Sequence, residues 1–231
     1  MKNKLALLIA SIAFLNADTY AATVTWGDIN DTALIDAGGA LLTQGNYVRI
    51  GYFGTLSNSQ IQTDAQTTAG IALLNADFHE FATTKIGQGT GTDGLFSINS
   101  TPTYASLTGF SPNSQIYFWA LDATNNTSLT TALSSITQTA IGYVPFANNG
   151  QWQFPASDIA PAKGIDLSDL SNANRVVLAG TYVSGTTASV TAVLGSPNHA
   201  LQLSSVTAAP EPSRVMLLGL SVLGLIWRRR R

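Results

Sequence analysis

Few side chains in this sequence could act on a substrate. His79 and His199 are its two imidazoles, and it has no cysteine. A zinc-protease helix needs two histidines one turn apart, and His79-Glu80 has no such partner. A nucleophile elbow, Gly-x-Ser-x-Gly, is absent. Glycoside hydrolysis needs two carboxylates at a fixed separation. Glu80 is the one glutamate between residues 22 and 208 and is expected on a helix, so an Asp-Asp pair would be required. Nothing points to one. The glycine-rich stretch over residues 87–94 lacks the following helix and the Lys-Ser/Thr of a phosphate loop. It reads as a flexible hairpin loop.

Binding chemistry is equally thin. Asp28, Asn30, Asp31 and Asp36 could gather oxygens for calcium, but they lack the central glycine and distal glutamate of an EF-hand. Turn capping is the simpler expectation, as it is for Asp166 and Asp169, with Asp158 nearby leaving a weak calcium site open. The Thr-x-Thr triplets at Thr23/Thr25, Thr90/Thr92, Thr101/Thr103 and Thr137/Thr139 fall at irregular intervals. They suit strands, not a regular ice-matching array. Trp26, Tyr143, Phe146 and Trp152 could stack on sugar rings if exposed, and core packing is the favoured reading for them. The expectation is therefore no catalytic residue, no metal and no cofactor.

The composition says more about setting. Of 231 residues only 10% are charged and 45% are hydrophobic, with Thr, Ser, Asn, Gln and Gly filling much of the rest. Such a surface suits an extracytoplasmic β protein. Between residues 22 and 208 four basic side chains face eleven acidic ones, a net charge of −7. That domain repels phosphate backbones, so nucleic acid is not an expected partner. Without cysteine, disulfides and thiolate metal sites are excluded.

The ends carry the clearest signals. Lys2 and Lys4 precede an apolar run over residues 5–15, and Thr19-Tyr20-Ala21 offers small residues for signal peptidase. Residues 1–21 are expected to be a signal peptide, cut between Ala21 and Ala22. At the other end Pro210-Glu211-Pro212 is followed by Ser213-Arg214, an uncharged apolar run over residues 215–227, and Arg228, Arg229, Arg230 and Arg231. The prolines make a stiff, extended joint. The run can enter a bilayer, and the arginines resist crossing it, which leaves them cytoplasmic and the middle domain outside. As a helix the run reaches about 20 Å, short of a hydrocarbon core of about 30 Å. A sorting signal explains it better than a permanent anchor.

This tail, residues 209–231, resembles the PEP-CTERM sorting domain, also catalogued as an ice-binding protein C-terminal domain. The resemblance implies that an exosortase, a membrane-embedded enzyme, recognises Pro210, Glu211 and Pro212, with residues 215–227 as the transmembrane helix and the four arginines as the cytoplasmic stop. It also implies an association with exopolysaccharide-producing bacteria. It says nothing of the middle domain's chemistry.

The middle, residues 22–208, is expected to be mainly β: an antiparallel β-sandwich with one packed helix. Strands are expected over residues 23–26, 47–53, 94–99, 115–121, 151–154 and 200–206. The run over 115–121 is apolar on both faces, as a central strand requires. Residues 175–182 and 188–194 read as a hairpin around Ser184-Gly185. Ile71, Leu74, Phe78 and Phe81 form a stripe at helical spacing, opening near Asp64 and closing before Gly87. Residues 130–139 add a possible helical turn. The functional expectation is a non-enzymatic cell-surface or extracellular-matrix protein sorted through its tail. The alternative is a carbohydrate-binding module of the envelope, and more distantly a glycan hydrolase.

Overall fold

A computed structural model describes residues 21–27, 32–185 and 199–208. Its elements run β1 (Val24–Gly27), β2 (Thr32–Ile35), β3 (Tyr47–Tyr52), α1 (Asn58–Asp64), α2 (Thr68–Asp77), β4 (His79–Lys85), β5 (Ser97–Ser100), β6 (Tyr117–Ala123), α3 (Leu129–Ser134), β7 (Ile136–Tyr143), β8 (Lys163–Asp166), β9 (Val176–Ala179), β10 (Thr181–Ser184), β11 (His199–Gln202) and β12 (Ser204–Ser205). The protein is mainly β, as the sequence indicates.

The principal sheet has the order β12-β7-β6-β3-β4, with β9 also paired to β7. β6 lies between β3 and β7 and is central, as its two apolar faces demand. Arg49 pairs across to Trp119 and projects with it toward α2, where the guanidinium meets Asn75. On the opposite face Phe118 stacks on Phe96 at 5.9 Å, and Phe96 packs edge-on against Trp26 of β1. Helices thus cover one face and the smaller sheet β5-β1-β8 the other. A polar residue survives inside because it is fully bonded: buried Thr139 accepts from Trp119 Nε1 at 2.8 Å and donates to the Ala120 carbonyl at 2.9 Å.

The expected sandwich is antiparallel throughout, and the structure corrects this. Among the described residues there are three sheets, and two strand pairings are parallel: β1 with β8, and β11 with β2. The reason is topological. Each pair joins strands far apart in sequence, so no tight turn dictates an antiparallel return.

The single helix is also corrected. Asp64 ends α1 instead of opening a helix, and a hydroxyl caps each of the three short helices: Ser57, Thr67 and Ser128 accept from the third residue beyond. Ile71 and Leu74 are buried on α2, but Phe78 has already turned to extended backbone and Phe81 lies on β4. Pairing of β4 with β3 outcompetes another helical turn there. Residues 130–139 divide likewise: α3 ends at Ser134 and β7 begins at Ile136. Residues 151–154 form no strand. Asn149 caps a 3-10 turn over Gly150–Trp152 that swings the Trp152 indole into the core.

The expected strand over 175–182 breaks at Gly180, which sends β9 to the principal sheet and β10 to β11. The proposed hairpin partner, 188–194, lies outside the described residues. Gly180 has φ +84, and a Cβ there would sit 2.4 Å from the Gln202 carbonyl oxygen. Gly180→Ala is therefore expected to cost about 2 kcal/mol or more, since a non-glycine in such a conformation costs roughly 1–3 kcal/mol before any clash. Urea denaturation checks this, and an unchanged midpoint would mean that the corner relaxes freely.

Candidate functional site

The described groups singled out for chemistry are dispersed by the fold among structural contacts. His79 stacks on Tyr52 at 4.7 Å, and His199 lies on β11 against Tyr182. Glu80 is on β4, not on a helix, and accepts from Arg49 Nε at 2.6 Å. Asp36 accepts from the Ala40 N–H, a turn cap. Asp28, Asn30 and Asp31 lie outside the described residues. Asp166 and Asp169 close a capping box around a 3-10 turn, and Asp169 also takes the Trp152 indole N–H at 2.9 Å. These two carboxylates border a shallow cleft of about 290 Å³ with Thr25 and Gln151. Among the described residues no group of three or more His, Asp or Glu could hold a metal ion. Of the four candidate sugar platforms, Trp26, Trp152 and Tyr143 are buried, which leaves only Phe146 exposed.

Two polar clusters could not be anticipated from sequence spacing. Arg49, 4% exposed, is held by Glu80 and Asn75, with its guanidinium over the rings of Phe78 at 4.6 Å and Trp119 at 4.8 Å. Burial pulls its pKa down and Glu80 pulls it back up. The partners lie 31 and 26 positions away, so only the fold reveals them. The second cluster gathers Asn46 and Asn126 beside Asp122. Burial pushes the Asp122 carboxyl up, against a lowering by its hydrogen bond with Asn46, and Asp36 adds to the rise.

The feature nearest to a functional site is the place where the chain leaves the domain. β12 pairs with β7, and Thr207 is then stitched to the junction of α1 and α2. The Thr207 N–H and hydroxyl both donate to the Gln66 carbonyl, at 2.9 and 3.0 Å, and the Thr68 N–H donates to the Thr207 carbonyl at 3.0 Å. A polar cleft of about 410 Å³ lies alongside, lined in part by Gln62, Gln66, Gly180 and Ser204. Two residues, Ala208 and Ala209, separate Thr207 from Pro210, a reach of at most about 11 Å.

Residues 208–231 match the PEP-CTERM protein-sorting motif. The chain carries this sorting motif. No curated protein and no solved structure matches the chain. The PEP-CTERM motif implies export and recognition at the membrane by an exosortase. Its elements Pro210, Glu211, Pro212, residues 215–227 and Arg228 to Arg231 lie outside the described residues, as do residues 1–20 of the expected signal peptide. Among the described residues no helix is long and apolar enough to cross a membrane. Of the expected peptidase site, Ala21 is partly buried and Ala22 fully buried at the start of the fold.

Proposed function

We propose that this is a non-enzymatic surface protein: a β domain carried outward behind a signal peptide, held briefly by its PEP-CTERM tail, and released by exosortase to the cell surface or extracellular matrix. The single observation that carries the reading is the motif at residues 208–231. The anchoring of Thr207 supports it, because it makes the tail a direct continuation of a folded body. The acidic surface, poor in charge and rich in hydroxyls and amides, suits a hydrated, exopolysaccharide-containing layer. Signal peptidase and exosortase are its processing partners on this reading.

Topology tests it. With protease added to spheroplasts, the domain over residues 22–208 is expected to be digested while a cytoplasmic control survives. Protection of the domain until the inner membrane is permeabilised would overturn the proposal.

A further inference from the structure

The expected leader cut falls at an unusual place. Ala22 is completely buried, and its backbone nitrogen lies 3.3 Å from Asp158 Oδ1. The position of that nitrogen is fixed from the next residue on: the Thr23 carbonyl accepts from the Lys163 N–H at 3.0 Å, and β1 is paired on both sides from Val24. Asp158 is fixed independently, because its Oδ1 also accepts from the Tyr104 N–H at 2.9 Å. Among the described residues the carboxylate has no cationic partner. Lys163, on the paired strand β8, spends its ammonium on the Gly150 carbonyl at 2.8 Å.

We propose that Asp158 is the receptor for a mature N-terminus at Ala22, forming an ion pair that the uncut chain lacks. The proposal rests on the signal-peptide reading. Hydrolysis adds water across the Ala21–Ala22 bond, leaving a carboxylate on Ala21 and an amine on Ala22. That amine takes up a proton, since an ordinary α-amino group titrates near 7.7–8.0. Before the cut, Asp158 receives a neutral N–H. After it, the same nitrogen at the same position is an ammonium. A charge-assisted bond is roughly twice as strong as a neutral one. The mature domain is thereby tightened at the seam between β1, β8 and the 155–162 loop.

The other titratable groups packed here are few. The Tyr104 phenol, pushed up to about 12 by burial and then by the Asp158 charge, donates to the Pro155 carbonyl and stays neutral. Lys163 is engaged as described, and Asp166 stands at the far end of β8, opposite Gly27. On this proposal the ammonium gains an anion on folding, which raises its pKa against the lowering that burial of Ala22 brings, and the ion pair is the larger effect. The stabilisation is full below about 7.7 and disappears as pH rises through the folded value.

The test uses the exported chain purified from its host. Mass spectrometry of the N-terminal peptide is expected to show a free Ala22. The α-amine is then titrated through the Ala22 carbon shifts of isotope-labelled chain by NMR, in wild type and in Asp158→Asn, which keeps an oxygen for the Tyr104 N–H. A third chain carries Gly-Ser inserted after Ala21. Wild type is expected to titrate about one unit above the ordinary range, and both variants within it. An intact Met1 N-terminus overturns the leader reading and the ion pair together, and a cut at another residue overturns the ion pair alone. A free Ala22 that titrates identically in wild type and Asp158→Asn overturns the ion pair alone.

Discussion

Deleting Pro210, Glu211 and Pro212 while keeping residues 215–231 is expected to leave the full-length chain in the membrane fraction. The parent protein at the surface is expected to lack the four terminal arginines. Two physical facts combine. A processing enzyme binds backbone whose N–H and C=O groups are not already paired, and a Pro-x-Pro joint keeps them so. Upstream, Thr207 is tied by three hydrogen bonds to the α1–α2 junction, so after the deletion only residues 208, 209, 213 and 214 lie between that anchorage and the apolar run. Removing the joint draws the run of residues 215–227 up to the domain edge and takes away the accessible segment. Mass spectrometry of the C-terminal peptide decides the matter. Recovery of intact residues 227–231 from surface-located wild type would reduce the tail to a plain anchor.

Glu80→Ala is expected to destabilise the domain by about 3 kcal/mol, which urea denaturation at neutral pH would measure. The substitution strips the carboxylate from a buried guanidinium, and breaking a buried pair from one side typically costs about 3–5 kcal/mol. The lower end applies because Glu80 itself is 32% exposed and water can reach the vacated side. The flanking rings of Phe78 and Trp119 attract the cation but cannot replace a hydrogen-bond acceptor. Adding Arg49→Met to Glu80→Ala should recover most of the loss, since replacing such a pair by apolar side chains is often neutral or better. A loss below about 1 kcal/mol for the single variant would show that the guanidinium rehydrates within the native fold.

What could be read in the sequence depended on how loudly a segment spoke on its own. β6 was legible because Phe118, Ala120, Trp119 and Leu121 leave no polar face, and β3 because Val48 and Ile50 alternate beside it. β2 escaped notice because four buried residues, Thr32 to Ile35, show no period. β7 did too: its inward positions include Ala140 and Gly142, too small to stand out against a Thr- and Ser-rich background. Phe78 and Phe81 misled because a separation of three fits a helix turn as well as a strand that starts at His79. The sorting tail is different in kind. Its prolines, apolar run and arginines are read as a linear order, so no tertiary contact is needed to see it. The Thr207 anchorage and the Arg49 cluster depend on partners distant in sequence, and only the folded chain shows them.

The parallel pairing of β11 with β2 also sets a timetable. Thr32 lies opposite His199 and Ile35 opposite Gln202, so one of the earliest strands is completed by one of the last. A chain delivered from its N-terminus must hold Ala33 and Leu34 without their partner until almost the whole domain has arrived. Such long closures are slow to form. Pro210 follows eight positions after Gln202. The seam between β2 and β11 therefore cannot close until the sorting motif is about to emerge.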